Sequence, residues 1–207
     1  MSRLFSLLYD RITAPMEEAC LQEWRSQLLG DLSGSVLEVG AGTGANLSHY
    51  PRAVERLVLA EPDAGMRRKL ERKVAAWGRA AEVVDAPAER LPVADASFDA
   101  VVSTLVLCSV PDQQEALAEI RRVLKDGGRL VVVEHVAAPD DKPDRQRWQR
   151  RVEPVWKRVA GNCHLTRDTA AALEAAGFDT SGIERQSIRK AAPIVRASIR
   201  GAATVAR

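Results

Sequence analysis

A chain of 207 residues, 46% apolar and 28% charged, is long enough to bury a large core and reads as one globular domain with at most a short appendage. Its net charge of +2 is too balanced for a nucleic-acid binder driven by bulk charge, so no nucleic-acid partner is expected. Cys20, Cys108 and Cys163 are far apart and show no CxxC or Cys/His ligand spacing, so neither a disulfide framework nor a metal site is predicted, and a reducing compartment, the cytoplasm, fits.

The first segment, "SRLFSLLYDRI", lacks the long apolar stretch and cleavage site of a signal peptide. Leu4, Leu8 and Ile12 repeat at helical spacing, joined by Phe5 and Leu7, which predicts an amphipathic helix packed on the domain. At most it makes weak contact with a membrane surface, because it carries few cations. Pro15 opens a second helix over residues 16–29, with Met16, Ala19, Cys20, Trp24, Gln27 and Leu28 on one face and Gly30 as its stop. Residues 1–30 are thus a helical extension that can serve as a lid on a domain over 31–207.

A short apolar strand, residues 35–39, precedes a glycine-rich loop and a helix from about Ala45. A second strand, 56–60, ends at Glu61, and Asp63 caps a helix to about Trp77. On that helix Arg67, Arg68, Lys69, Arg72 and Lys73, with Glu71, form a solvated face. "AAEVVDA" is a third strand, residues 98–103 a fourth, Asp112 starts a helix to Leu124, and 129–135 is a fifth strand. A polar loop, a helix over roughly 144–159, a helix over 167–176 capped by Thr166 and stopped by Gly177, and two strands over 183–188 and 197–205 complete the chain. Short, β-branched strands without alternation belong to a sheet buried on both faces. Their alternation with helices predicts a doubly wound, mostly parallel α/β sheet.

The stretch "VLEVGAGTGANLSHY" raises the question of a ligand. A P-loop needs Lys and Ser or Thr after its last glycine, but Gly44 is followed by Ala45 and Asn46. A dinucleotide fingerprint needs G-x-G-x-x-G, and Gly40, Gly42 and Gly44 give one residue too few. Glu38 would repel a pyrophosphate and attract a cation, which favours S-adenosylmethionine, a ligand with an ammonium and a sulfonium. Glycines let the backbone approach such a ligand closely. Glu61, 19 residues beyond Gly42 at a strand end, can accept from both ribose hydroxyls, and Met66 can pack on the adenine.

"VLEVGAGTG", "EPD", "AERLPVADASFDAVVSTLVLCSV" and "RRVLKDGGRLVVVEHV" resemble, in order and spacing, the motifs of class I S-adenosylmethionine-dependent methyltransferases, in the branch of the quinone and phospholipid enzymes. "TLVLCSV", "EHVAAP", "WQRRVEPVWK" and "HLTRDT" followed by "LEAAGF" narrow the resemblance to the methyltransferase-like alkyl thiol S-methyltransferases, over about residues 36–178. It implies a Rossmann-like, seven-stranded sheet. It implies that Glu38, Gly40, Ala41, Gly42 and Gly44 line the methionine and ribose, and that Glu61 with Pro62 binds the ribose side. Ala88 and Glu89 would meet the adenine edge, with Asp85 as a substitute for an acid the relatives carry at Pro87, and Thr104 and Leu105 would lie under the methionine. The thiol enzymes of the family carry a longer hydrophobic N-terminal anchor than the short segment seen here, so membrane attachment is not carried over.

Methyl transfer from a sulfonium is an in-line displacement in which the protein mainly positions and desolvates. A thiol acceptor reacts as thiolate, and a phenol or amine must also lose a proton. Glu134 and His135 end the fifth strand, where doubly wound sheets place their sites. His135 is expected to orient or deprotonate the acceptor and Glu134 to fix the strand end and the imidazole. His164, in the "NCH" loop, and Cys108 are candidates for the acceptor pocket, and Tyr9 is expected to turn towards it. Trp148 and Trp156, eight apart, are expected on one helix face as a roof for it, or as core packing. Asp168 reads as a first-turn residue that satisfies its helix end. The expected function is methyl transfer to a small apolar acceptor, a thiol, with a quinone or phospholipid as the alternative acceptor and a silent S-adenosylmethionine-binding protein as the alternative class.

Overall fold

The computed structural model describes the backbone of residues 3–205 and the side chains of residues 9–205. The apolar face expected from Leu4, Phe5, Leu7 and Leu8 lies outside the described side chains. Strands β1 (Gly34–Val39), β2 (Val54–Ala60), β3 (Glu82–Val84), β4 (Phe98–Thr104), β5 (Leu124–His135), β6 (Phe178–Asp179), β7 (Ile183–Ser187) and β8 (Ala197–Val205) form one sheet. Its order is β3-β2-β1-β4-β5-β8-β6, with β7 also paired to β8. The first five strands are parallel and β8 runs antiparallel to β5.

The sheet therefore has eight strands, not seven. Strands β6 and β7 lie end to end along the outer edge of β8, opposite residues 204–205 and 197–201 respectively. Between them Gly182 and Gly201 pass so closely that a Cβ on Gly201 would come 2.0 Å from the Gly182 carbonyl oxygen. The additional strand is β6, a two-residue pairing that precedes the predicted edge strand over 183–188.

Apolar residues fill both faces of the sheet. One side buries Leu37, Val39, Phe98, Val101, Leu117 and Ile120 among others, and the other buries Leu29, Leu32, Val36, Leu59 and Leu70. Each such side chain contributes about 1.5–3 kcal/mol. Helices α3 (Ala64–Trp77) and α4 (Gln113–Val123) start as predicted. The Asp63 carboxylate accepts from the N–H of Gly65 and Met66, and that of Asp112 from Gln114 and Glu115.

Four local expectations are corrected. Pro15 does not open a helix: α1 (Arg3–Met16) runs through it into a π-helical stretch, Glu17–Leu21, and on into α2 (Gln22–Leu29). A proline inside a helix removes one hydrogen bond, and the wider turn follows directly after it. No helix follows Gly44; a 3-10 turn, Leu47–His49, connects β1 to β2. Segment 45–50 is too short to repay helix nucleation, and Tyr50, which precedes Pro51, is extended at ψ 122°. Helix α6 (Thr169–Ala175) is capped by Asp168, whose carboxylate accepts from Ala171 N–H, not by Thr166. Thr166 instead donates its hydroxyl to Glu153 at 2.7 Å. On α5 (Pro143–Val159) Trp148 is 47% exposed and does not roof a pocket. The inward row runs through Gln149, fully buried, to Trp156, seven residues on, because seven residues close two turns and eight overshoot them.

Candidate active site

The strand order reverses between β1 and β4, and the cleft beyond their carboxyl ends is where doubly wound sheets bind ligands. The glycine loop leaves β1 there. Gly40, Gly42 and Gly44 have φ of +58°, +58° and +78°, a region that a side chain disfavours. Their surroundings differ. A Cβ on Gly40 would come 2.5 Å from the Val106 side chain, and one on Gly44 2.8 Å from Leu47. A Cβ on Gly42 would meet only the Gly40 carbonyl oxygen at 3.9 Å and the Met66 sulfur at 4.0 Å. Protein packing thus demands glycine at 40 and 44, whereas the space over Gly42 is free. Ala41 is buried and donates its N–H to Ala60.

Two buried carboxylates flank this space. Glu61 accepts from Gly42 N–H and from Asp63 N–H, both at 2.8 Å, so it ties the glycine loop to the start of α3. Burial raises its pKa against the pull of those two bonds. Glu38 accepts from Asn46 Nδ2 at 2.8 Å and from the Tyr50 hydroxyl at 2.7 Å. Burial pushes it up to about 7, opposed by those bonds and by Arg25.

Arg25 is a residue of the cleft that sequence reasoning missed. It is 5% exposed, pairs bidentately with Glu17, and donates to Asn46 Oδ1 at 2.6 Å and Thr104 Oγ1 at 3.1 Å. The helical extension therefore reaches into the cleft and orients the amide that holds Glu38. The only trace in the sequence is Glu17, two helical turns before Arg25 on an otherwise apolar face. Asp10 makes a second tie: it accepts from Thr43 Oγ1 at 2.5 Å and pairs with Lys69 at 3.2 Å. A cavity of about 650 Å³ lies on this outer side of the loop, lined by Tyr9, Asp10, Thr13, Glu17, Thr43 and Gly44 among others. Burial pushes the Tyr9 phenol up to about 12, with Arg25 and Cys108 among its electrostatic neighbours, so it remains a donor at neutral pH.

The remaining candidates divide. Met66 and Ala88 are buried at the cleft, and Glu89 accepts from Asp112 N–H at 3.2 Å. Pro62 is exposed and its carbonyl accepts from Arg67. Asp85 pairs with Arg67 at 2.7 Å. Leu105 has φ +60°, a strained backbone that sits where β4 ends. Glu134 is fully buried and accepts from Ser103 Oγ and from the N–H of Val106, Leu107 and Cys108 at 2.7–3.2 Å. It shapes the loop after β4 and does not hold the imidazole, contrary to expectation. The His135 ring is fixed by the Ile194 carbonyl, 3.2 Å from Nε2. His164 stands 3.8 Å from Glu153, and burial lowers its pKa, with Arg167 and Lys157 adding to the effect.

Cys108, His135 and Cys163 converge at the ends of β4 and β5. The sulfurs are 4.0 Å apart, and Cys163 Sγ is 3.8 Å from His135 Nδ1. The contact between the two thiols and the burial of Cys108 push the Cys108 thiol up, and the neighbouring Cys108 and His135 draw the Cys163 thiol down.

The glycine cradle with free space at Gly42, flanked by carboxylates able to take an ammonium and ribose hydroxyls, fits S-adenosylmethionine. A methyltransferase domain model matches residues 37–132. The chain is 40% identical over 190 residues to human thiol S-methyltransferase TMT1B, covering 88% of this chain and 77% of that one. It is 32% identical over 191 residues to the demethylmenaquinone methyltransferase of Thermobifida fusca, covering 90% and 77%. The chain spans about two thirds to three quarters of the length of its thiol S-methyltransferase relatives. A crystal structure of a SAM-dependent methyltransferase from Aquifex aeolicus shares the fold at TM-score 0.66 and 17% identity, over 99% of both chains. The fold and the cleft are those of an S-adenosylmethionine-dependent methyltransferase. Within that class the chain belongs to the family that contains the thiol S-methyltransferases.

Proposed function

We propose that this methyltransferase transfers its methyl group to the sulfur of a small apolar thiol. Bound S-adenosylmethionine supplies an electrophilic methyl group on a sulfonium. Glu38, oriented by Asn46 and Tyr50, takes the ammonium. Glu61 takes the ribose hydroxyls while it holds Gly42 in place, and Met66, Ala88 and Glu89 border the adenine. Thr104 and Leu105 form the floor beneath the methionine, and the helical extension, through Asp10 and Arg25, closes the cleft as a lid with Tyr9 on the acceptor side.

The observation that carries the acceptor class is the similarity to thiol S-methyltransferases along nearly the whole chain. The chemistry of the site supports it. Glu134 is saturated by four donors and is not free to act as a base. The acceptor's own acidity therefore decides how readily it reacts. A thiol with a pKa of about 8.5 needs less help than a phenol of about 10. No helix among the described residues is long and apolar enough to cross a membrane. A cytoplasmic site of action, with at most weak lipid contact through the N-terminal helix, and a free small molecule as acceptor follow from this reading.

The test is a panel of small apolar thiols, a quinol and phosphatidylethanolamine vesicles, each given with methyl-labelled S-adenosylmethionine. Label in the thioethers at rates well above the other products is expected. Preferential labelling of the quinol or the lipid would replace this reading, and S-adenosylhomocysteine binding without turnover on any member would indicate a silent binding protein.

A further inference from the structure

The sequence shows no metal-ligand spacing, yet the fold builds a ligand set. Cys108 lies in the loop after β4, His135 ends β5, and Cys163 follows α5. Their ligand atoms all lie within 4.8 Å of one another. Zinc takes sulfur at about 2.3 Å and imidazole nitrogen at about 2.0–2.1 Å in tetrahedral geometry. Those lengths place two sulfurs about 3.8 Å apart and sulfur and nitrogen about 3.5 Å apart. The observed separations of 4.0 Å and 3.8 Å at Cys163 are within about 0.3 Å of these, and the third pair, Cys108 with His135, lies within 4.8 Å and closes by a side-chain rotation of up to about 1.3 Å.

The surroundings are arranged for the same purpose. A carbonyl oxygen only accepts, so the bond to Ile194 places the proton of a neutral His135 on Nε2 and leaves the Nδ1 lone pair facing Cys163. Ligating histidines typically have their second nitrogen held in this way. Gln149, fully buried, donates to the same carbonyl at 2.8 Å and fixes it. The two cysteine loops are laced together: His164 N–H donates to the Cys108 carbonyl at 2.8 Å, and Asn162 Nδ2 to the Ser109 carbonyl at 2.9 Å. Each loop holds a non-glycine residue at positive φ, Leu105 at +60° and Asn162 at +68°. Strain of this kind persists where the surroundings over-determine it. Arg167, which donates to the Leu107 carbonyl at 2.8 Å, adds a positive field beside the sulfurs.

We propose that Cys108, His135 and Cys163 bind a zinc-class divalent cation and leave a fourth position for the sulfur of the acceptor. Two thiolates, a neutral imidazole and a divalent ion make a neutral centre, which suits a buried site. Three protein ligands and an open position are the pattern of catalytic rather than structural zinc. All three ligands stand at the carboxyl ends of β4 and β5, on the side where the glycine cradle opens, and half-buried Cys163 marks the way in. An acceptor thiol displaces water from the ion, a sulfur–metal bond forms, the S–H bond breaks, and the proton leaves to solvent. The metal half stands on geometry alone, and the acceptor half rests on the thiol reading above.

The test uses the reduced full-length chain, freed of metal by a chelator and titrated with Co²⁺. One equivalent is expected to bind with a thiolate-to-cobalt charge-transfer absorption that Zn²⁺ displaces. Cys108→Ser, Cys163→Ser or His135→Asn should weaken binding at least tenfold while S-adenosylhomocysteine still shifts the melting temperature. Cys20→Ser, whose sulfur lies in a different part of the core, should bind as before. A small apolar thiol should deepen the absorption as a third sulfur joins. No stoichiometric absorption in the folded, reduced chain, or absorption that survives Cys163→Ser, overturns the site. So does a native Cys108–Cys163 disulfide whose reduction yields no cobalt binding. A cobalt spectrum indifferent to thiols overturns the acceptor half. A thiol-responsive spectrum without any thiol methylation would sink the proposed function and leave the metal site standing.

Discussion

Glu38 should make cofactor affinity depend on pH. Burial holds its carboxyl at about 7 against an ordinary 4.5, so the native chain keeps a proton that the unfolded chain has released. Its contribution to stability is therefore complete below about 4.5 and is lost as pH rises through about 7. Ligand binding runs the other way, because an ammonium beside the carboxylate favours the ionised form. Each pH unit between the two values is worth about 1.4 kcal/mol, which bounds the effect at about 3 kcal/mol. The carboxylate stays partly desolvated in the complex, so an affinity gain of about 10- to 100-fold between about pH 5 and 7 is expected. Titration calorimetry with S-adenosylhomocysteine measures it directly, below the range of about 7.7–8.0 in which an α-ammonium itself titrates. Glu38→Gln should bind more weakly and with a much shallower slope, the remainder coming from Glu61. A wild-type affinity flat across this range, or a variant with the full slope, would refute the placement of the ammonium at Glu38.

Other substitutions separate packing from ligand contact. Gly42→Ala meets open space and should cost only about 1–2 kcal/mol of stability for its positive φ, yet calorimetry should show at least a tenfold loss of cofactor affinity. Gly40→Ala drives a methyl into Val106 and should instead lower the melting temperature first. Glu61→Ala removes the acceptor of Gly42 and Asp63 as well as that of the ribose, and should cost roughly 1.5–3 kcal/mol of cofactor binding. Arg25→Met strands Glu17 and frees Asn46, and denaturant unfolding should show a loss of about 3–5 kcal/mol; a change below about 1 kcal/mol would mean the network is not rigid.

The parts of the fold written in local chemistry were legible: the Asp63 and Asp112 caps, the glycine loop, and the five parallel strands. Errors arose where neighbours decide. Nothing local distinguishes Thr166 from Asp168 as a cap, and only the tertiary bond from Thr166 to Glu153 removes the former. Trp148 and Trp156 lie eight residues apart, whereas Trp156 and the buried Gln149, seven apart, share the inward row of the helix. Glu38 was legible as a candidate because it sits at a strand end beside the glycine loop, and Glu61 because it ends the next strand, 19 residues beyond Gly42. Arg25 could not, since its partners Asn46 and Thr104 come from elements far along the chain. The Cys108, His135 and Cys163 cluster escaped for the same reason. Ligand-spacing rules read local pairs, and here sheet order and a loop crossing bring the three together.

Thiol selectivity of methyl transfer is read out by one competition. The chain is given methyl-labelled S-adenosylmethionine and an equimolar mixture of a small apolar thiol and the phenol of matching size, and the products are resolved by mass spectrometry. Label is expected in the thioether, with one S-adenosylhomocysteine per label, and both products should be lost in Glu61→Ala at limiting cofactor. Label chiefly in the phenyl ether, or cofactor turnover without labelled thioether, would contradict it.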